Sequence, residues 1–223
     1  MKLIILFSAL FGLTVSDSFN FYVFTQSWPQ TTCAVAPSYY KCIIPQNVTT
    51  FQIHGLWPTT YSEPYPSYCI NDSFSLQKID PLLTRMEVHW NGLYTYEHSS
   101  EFWSHEWTKH GTCAVQHSNI TDEFTFFETV LNIQETYKIE DILKSSGITP
   151  SDTYYYDSDK ISQAVVDATG STPQMDCKYN YHYEHELLSD IRICLDLNFV
   201  PLDCPNSGNC ENDKVIFPKT VKY

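Results

Sequence analysis

Apolar and polar residues alternate near both ends of the chain, a pattern typical of β-strands with one buried face. Four segments rich in aromatic and β-branched side chains have this character: residues 20–28, 51–57, 187–199 and 215–217. In the third segment the alternating apolar positions are Ile191, Ile193, Leu195 and Leu197. The pattern predicts strands at these four places.

The middle of the chain carries helical signals instead. Helices are predicted at residues 82–90, at 101–110, from 121 onward and at 158–168. Pro81 precedes the first, Thr121 caps the third, and Gly111 and Gly170 end the second and fourth. Helices in the middle with strands at both ends predict an α+β fold. Because no internal repeat or long linker divides the chain, we expect a single domain with a central antiparallel β-sheet flanked by helices.

Composition describes a folded protein that is poor in charge. Of its 223 residues 43% are hydrophobic and 15% aromatic, enough to bury a sizeable core, which excludes a disordered chain. Only 17% are charged, against roughly 25% in an average soluble protein, which excludes a coiled coil. The net charge of −13 argues against a protein that coats nucleic acid, although a small basic site remains compatible with it.

The N-terminus has the pattern of a secretory signal peptide. Lys2 precedes an apolar run over residues 3–15, and small residues suited to cleavage follow. A membrane anchor would need about 20 apolar residues, so this run is too short to span a bilayer. We therefore predict a signal peptide at residues 1–18, a mature domain at 19–223 and no membrane span after cleavage. The protein is expected to be secreted or, alternatively, held in a lysosome or another acidic endomembrane compartment.

The cysteine count agrees with secretion. The chain has eight, an even number that predicts four disulfides in an oxidising compartment, and the count alone leaves 105 pairings open. They are Cys33, Cys42, Cys69, Cys113, Cys177, Cys194, Cys204 and Cys210. Secretion would also make three N-glycosylation sequons usable, and each would then lie on the surface: Asn47, Asn71 and Asn119.

The predicted helix at 101–110 concentrates titratable groups. Four fall within six residues: His105, Glu106, Lys109 and His110. At about 100° per residue they project from one face of an α-helix, while Trp103 and Trp107 form another stripe that can bury the helix. The simpler alternative is a solvated helix face with local ion pairs. Their density on an aromatic helix favours a site that meets a substrate, a metal or water.

A zinc site is the obvious competitor, because His-Glu begins a zinc-helix motif. That motif requires two histidines at i and i+4, whereas His105 and His110 are at i and i+5 and would diverge by about 140° on an α-helix. Lys109 occupies the position where the second ligand would be needed. On this spacing we predict no metal site.

A second segment adds another histidine. His54 lies at the end of a short apolar run and precedes Gly55, which permits close backbone approach, and Trp57, which offers a flat aromatic face. Alone, His54 is more simply a hydrogen-bonded strand residue. Taken with the helix, the two segments provide a base, an acid and donors for phosphoryl oxygens. These are the parts needed to cleave a phosphodiester without a metal.

Both segments resemble the two active-site signatures of the ribonuclease T2 family, the secreted acid endoribonucleases. They read HGLWP at residues 54–58 and FWSHEWTKHGTC at 102–113, and FTQSWP at 24–29, followed by Cys33, resembles the opening strand of that family. The resemblance covers the whole mature chain and implies an α+β fold around an antiparallel sheet. It also implies four disulfides: Cys33 with Cys42, Cys69 with Cys113, Cys177 with Cys210 and Cys194 with Cys204.

The resemblance implies a role for each residue of the two segments. His110 would take the proton of the ribose 2′-OH and His54 would protonate the departing 5′-oxygen, which yields a 2′,3′-cyclic phosphate and then a 3′-phosphate. Lys109 and Glu106 would stabilise the transition state, and His105 would hold the phosphate. Single-stranded RNA would be the substrate, DNA would survive because it lacks the 2′-OH, and no cofactor would be needed. We expect a monomer with a bell-shaped pH profile that peaks below neutrality.

Base recognition is the less defined part of this prediction. Trp57 would stack on a base, with Tyr65 as its partner on the other face. Some family members have an acidic or amide side chain where this sequence has Thr59, so the base preference stays open.

Two alternatives stay open as well. The first is a catalytically silent secreted binding or toxin-like protein on the same scaffold; loss of His54 or His110 would have favoured it, and both are present. The second is a metal-dependent nuclease, which unchanged activity in excess chelator would remove.

Overall fold

The computed structural model describes residues 19–39, 41–46, 48–94, 98–117, 119–210 and 214–221. The predicted signal peptide at 1–18 and the sequon residue Asn47 lie outside these ranges. Among the described residues, no helix combines the length and the apolar character needed to cross a bilayer.

A seven-stranded sheet forms the centre of the fold. Its strands are β1 (Phe21–Ser27), β2 (Gln52–Thr59), β3 (Tyr155–Asp157), β4 (Gln174–Asn180), β5 (His185–Leu195), β6 (Pro201–Leu202) and β7 (Lys214–Ile216). The main path runs β2-β1-β5-β7-β3, and β4 and β6 also pair with β5. Every pairing between these strands is antiparallel except that of β5 with β7. Strand β5 therefore holds the sheet together, since four other strands pair with it.

Helices cover the sheet. They are α1 (Pro29–Ala34), α2 (Leu83–His89), α3 (Ser99–Glu106), α4 (Thr112–Ala114), α5 (Glu123–Thr136), α6 (Ile139–Ser145) and α7 (Ser158–Thr169). A 3₁₀ turn at Asp80–Leu82 leads into α2, and a π-helical turn at Trp107–Gly111 joins α3 to α4. The predicted α+β domain with a largely antiparallel sheet is therefore confirmed.

The core is aromatic, as the composition suggests. Both tryptophans of the signature helix are buried, Trp103 and Trp107, which confirms that this stripe anchors the helix. The Trp107 ring lies 5.8 Å from that of Phe126 on α5, and Trp28 contacts Phe217 at 4.6 Å between ring centroids. The contact of Trp107 with Phe126 fixes the signature helix against α5, so its polar face is held in place.

Four disulfides staple the loops to this core. They join Cys33 to Cys42, Cys69 to Cys113, Cys177 to Cys210 and Cys194 to Cys204, and these are the four pairs that the resemblance implies. Cys113 lies in α4, two residues after the π-turn ends, so its bond to Cys69 holds the loop at residues 60–70 beside that turn. The backbone supports this contact, because the Tyr68 amide donates to the Lys109 carbonyl at 2.9 Å.

Three predictions of local structure are wrong in detail. The strand predicted at 187–199 ends at Leu195, because the chain then turns, with the Asp196 amide donating to the Val200 carbonyl at 2.8 Å. The third long helix is capped by Asp122 rather than Thr121, because the Asp122 carboxylate accepts from the Thr125 amide while the Thr125 hydroxyl accepts from the Asp122 amide. The second helix does not run evenly from 101 to 110, since α3 ends at Glu106 and the π-turn follows. The fourth ends as predicted, with Gly170 left-handed at φ +78°.

Strand β4 was not predicted. Its polar residues Asp176, Lys178 and Asn180 have low strand propensity, and only its pairing with β5 makes it a strand.

Of the predicted glycosylation sites, Asn71 and Asn119 are exposed, as a glycan requires. Glycosylation itself stays a prediction.

Candidate active site

A cavity of about 490 Å³ opens where the end of α3 and the π-turn meet β2. Seven residues that were predicted to act in catalysis or base stacking line it: His54, Trp57, Tyr65, His105, Glu106, Lys109 and His110. Thr59 also lines it, with its hydroxyl donating to the Trp57 carbonyl at 2.9 Å. The two signature segments, about fifty residues apart in sequence, therefore form one site.

The π-turn changes how the helix presents its histidines. Because a π-turn places i and i+5 on the same side, His105 and His110 converge, with their ring centroids 6.4 Å apart. One potential ligand atom from each of His105, Glu106 and His110 lies within 4.8 Å of the others. The spacing argument against a metal was therefore wrong, since it assumed an uninterrupted α-helix. The predicted absence of a metal site loses this geometric support and stays a prediction, which activity in excess chelator tests.

Glu106 is held under the cavity by the first signature. Its side chain is almost fully buried, with 1% exposed, and Oε2 accepts a hydrogen bond from the indole Nε1 of Trp57 at 2.9 Å. Gly55 makes room for this contact, because a Cβ at residue 55 would lie 2.0 Å from Glu106 Oε2 and 2.5 Å from Trp57 Nε1. A glycine is therefore required for steric reasons at the point where strand and helix touch.

Trp57 also contacts both histidines of the predicted reaction. The centroid of its ring is 5.1 Å from that of His54 and 5.5 Å from that of His110. Both imidazoles thus reach the same cavity from different elements, one from β2 and one from the π-turn.

The two histidines are tuned toward their neutral forms. Burial lowers the pKa of His110 to about 3, and the nearby Lys109, His105 and His54 add to the shift. Burial also lowers the pKa of His54. Around His54 the charge of Asp190 acts in the opposite direction and raises the pKa, while the cationic neighbours lower it. His110 is therefore neutral throughout the mildly acidic range, whereas His54 has a carboxylate that favours its protonated form.

Arg192 is a wall residue that the sequence analysis missed. Its guanidinium lies 5.5 Å from the centre of the Trp57 ring and forms an ion pair with Asp176 of β4. Register places Gly55, Thr25, Arg192 and Gln174 in one row across β2, β1, β5 and β4. A signal was available, because Asp190 and Arg192 alternate with the isoleucines of the predicted strand and so belong to its opposite face.

A second cavity of about 250 Å³ adjoins the first, and His54 lines both. Asn91 and Phe102 belong to its wall, as do Ser27 of β1 and Asp190 of β5. The Phe102 ring lies 5.7 Å from that of His54. His54 is therefore the boundary between two neighbouring chambers.

The comparison with known families agrees with this site. The ribonuclease T2 family model matches residues 19–204, which is most of the chain. The chain belongs to the ribonuclease T2 family. Ribonuclease Oy of Magallana gigas is 34% identical over 188 residues, which cover 83% of this chain and 87% of that protein. The crystal structure of RNase NT in complex with 5′-AMP superposes with a TM-score of 0.80 at 28% identity, covering 90% of this chain and 98% of that one.

Relatives within the ribonuclease T2 family are named for different locations. Extracellular ribonuclease LE of Solanum lycopersicum is 33% identical over 213 residues, covering 93% of this chain and 91% of its own. Intracellular ribonuclease LX of the same plant is 29% identical over 224 residues, covering 98% and 92%. The predicted family, fold and ribonuclease activity are thereby confirmed, while the roles of individual residues stay predictions.

Proposed function

We propose that this ribonuclease is a metal-independent endoribonuclease that cuts single-stranded RNA through two histidines. The observation that carries the proposal is that His54 and His110 line one cavity and both contact Trp57, with ring centroids 5.1 and 5.5 Å from that of the indole. Two imidazoles that approach one phosphodiester from different elements suit a reaction in which a proton leaves on one side and arrives on the other.

In the first step, His110 removes the proton of the ribose 2′-OH. The 2′-oxygen attacks phosphorus, the bond to the 5′-oxygen breaks, and His54 gives its proton to that oxygen. The products are a 2′,3′-cyclic phosphate and a 5′-hydroxyl. Water then opens the ring with the two roles reversed, which leaves a 3′-phosphate. The pKa of about 3 at His110 supports its assignment as base, because the imidazole is neutral, and so able to accept a proton, throughout the mildly acidic range.

The remaining groups stabilise charge on the phosphorane. Lys109 provides a cation next to both histidines, and His105 from the preceding turn holds a phosphoryl oxygen. The Glu106 carboxylate, fixed by the Trp57 indole, shares the proton of a protonated phosphoryl oxygen. In a protein with a net charge of −13, this cluster is where a polyanion is attracted.

The two cavities suggest a path for the RNA. A base in the larger cavity would stack on Trp57, with Tyr65, which is 53% exposed, closing on its other face. Since His54 protonates the leaving oxygen, the nucleoside on the 3′ side would lie beyond it, in the smaller cavity. DNA would not be cut, because it lacks the attacking hydroxyl.

We also propose that residues 1–18 are a signal peptide and that the mature 19–223 domain is a secreted monomer. Four disulfides suit an oxidising compartment, and one named relative is extracellular. An acidic endomembrane compartment is the alternative, and it would suit the same pH dependence.

The direct test is cleavage of a short RNA and of the same oligonucleotide with a single 2′-deoxy substitution, at about pH 5 in excess EDTA. We expect the RNA to be cut, and a linkage that is cut in the RNA to stay intact when the nucleotide before it is the deoxynucleotide. The control is the protein without chelator, which should be equally active. Cleavage that EDTA abolishes would identify a metal-dependent nuclease, and intact RNA across the pH range would identify a binding protein on this scaffold.

A further inference from the structure

Ser27 and Asp190 lie beside His54 in the wall of the smaller cavity. We propose that Asp190, acting through the Ser27 hydroxyl, is a positioning residue that orients His54 and keeps it protonated for its role as general acid. This inference rests on the proposed function, because it concerns the histidine assigned to the leaving oxygen.

The contacts form a short chain from β5 through β1 to β2. The Ser27 hydroxyl donates a short hydrogen bond to Asp190 Oδ1, and its oxygen lies 3.3 Å from His54 Nδ1. Ser189 also donates to the other oxygen of Asp190, at 3.3 Å. Ser27 and Asp190 are directly opposite each other in the β1–β5 register, so the backbone fixes their separation.

The direction of these bonds determines which ring nitrogen holds the proton. Because the Ser27 hydrogen points to the carboxylate, only the lone pairs of Oγ are left to face His54. Nδ1 must therefore be the donor, which leaves Nε2 as the nitrogen that exchanges the proton with substrate. A serine bound the other way would favour the opposite tautomer.

Asp190 is the carboxylate that raises the pKa of His54, whereas the cationic groups nearby lower it. The groups that face His54 from the surrounding elements are Arg192 and Asp190 of β5, Lys178 of β4, Glu106, His105, Lys109 and His110 of α3 and the π-turn, and Tyr94. Burial lowers the pKa of His54, as do Arg192, His105 and Lys109, and Asp190 raises it. Arg192 is itself bound to Asp176, so its charge is shared within another pair.

The sign of the effect follows from the role. A general acid is active below its own pKa, so His54 sets the alkaline limb of the pH profile. Removing the charge of Asp190 lowers the pKa of His54 and moves that limb to lower pH. The acid limb, which His110 sets, stays in place.

Three variants separate charge from orientation. Asp190→Asn keeps an oxygen for the Ser27 hydroxyl but removes the charge, and we expect the ratio of kcat at pH 6 to kcat at pH 4 to fall roughly threefold or more. Ser27→Ala keeps the charge but removes the acceptor of Nδ1–H, so kcat should fall several-fold with little change in KM. Ser27→Thr, which restores a hydroxyl, should recover most of that loss.

The control is Asp159→Asn, which removes the same charge from the exposed side of α7 and should leave the profile unchanged. Nitrogen-15 NMR of His54 provides a readout independent of turnover. The wild-type protein should show neutral His54 protonated on Nδ1. Ser27→Ala should shift the tautomer toward Nε2, and Asp190→Asn should lower the pKa.

An unchanged tautomer and pKa in both variants would overturn the inference. So would an equal loss of activity at every pH in Asp190→Asn with an unchanged His54 titration, because that pattern reflects general damage to the fold. Neither result would touch the proposed function, which fails separately if His54→Ala remains fully active.

Discussion

Gly55→Ala tests whether the contact between the two signature segments is needed for catalysis. The new methyl group would lie 2.0 Å from Glu106 Oε2 and 2.5 Å from Trp57 Nε1, and those two atoms are 2.9 Å apart in a hydrogen bond. Overlap this deep cannot be relieved by small adjustments, since Glu106 is buried at the end of α3. The carboxylate must leave the indole.

The expected loss can be worked from that contact. A hydrogen bond to a charged group is worth about 1.5–3 kcal/mol. If Glu106 acts mainly in the transition state, this energy is lost from kcat, and at 1.36 kcal/mol per tenfold it corresponds to a decrease of about 10- to 150-fold. Overpacking adds a cost of about 1–3 kcal/mol in the free energy of unfolding.

The assay is steady-state cleavage of a short RNA at about pH 5, with the melting temperature of each variant measured beside it. Gly147→Ala is the matched control. Residue 147 has φ +75°, and none of the described residues has an atom within 4 Å of the place where the alanine methyl group would lie. Alanine there strains the backbone and should lower stability while kcat per folded molecule stays the same. A folded Gly55→Ala variant whose kcat is within about twofold of wild type would refute the assigned role of Glu106.

Three further predictions follow from the same site. The pH profile of kcat/KM should be bell-shaped, with its acid limb near pH 3, where His110 becomes protonated. Its alkaline limb should lie below the ordinary pKa of histidine, because burial lowers the pKa of His54. A pH series measures both limbs. Trp57→Phe keeps a stacking face but removes the donor to Glu106, so we expect kcat to fall about tenfold with a small change in KM. Replacing Cys69 and Cys113 together by serine opens a loop with a sequence separation of 44, which should cost about 4 kcal/mol in urea unfolding and weaken activity by releasing the π-turn.

The sequence predicts the two signature segments of the candidate site, because each is contiguous and lies on an element that its own apolar residues bury. Trp103 and Trp107 bury the helix, and the strand around His54 is apolar on its core side, so each polar face is defined locally. Strand β5 could also be predicted from the sequence, because its isoleucines alternate with charged residues.

Other features depend on contacts that no local pattern records. The π-turn at 107–111 cannot be read from helix periodicity, and it reverses the conclusion about His105 and His110. Strand β4 forms only because β5 offers an edge. Arg192 and Asp190 become part of the site through register, which brings them beside Trp57 and Ser27 from more than 130 positions away in the chain.

The most direct test of the two-histidine mechanism compares His54→Ala and His110→Ala on two substrates that share a 2′-hydroxyl but differ in the leaving group. One is a dinucleotide and the other is a nucleoside 3′-aryl phosphate, whose leaving group departs without a proton. If His54 is the acid and His110 the base, the aryl substrate restores most of the activity of His54→Ala and little of that of His110→Ala. Equal rescue of both variants, or rescue of His110→Ala alone, would contradict the assignment.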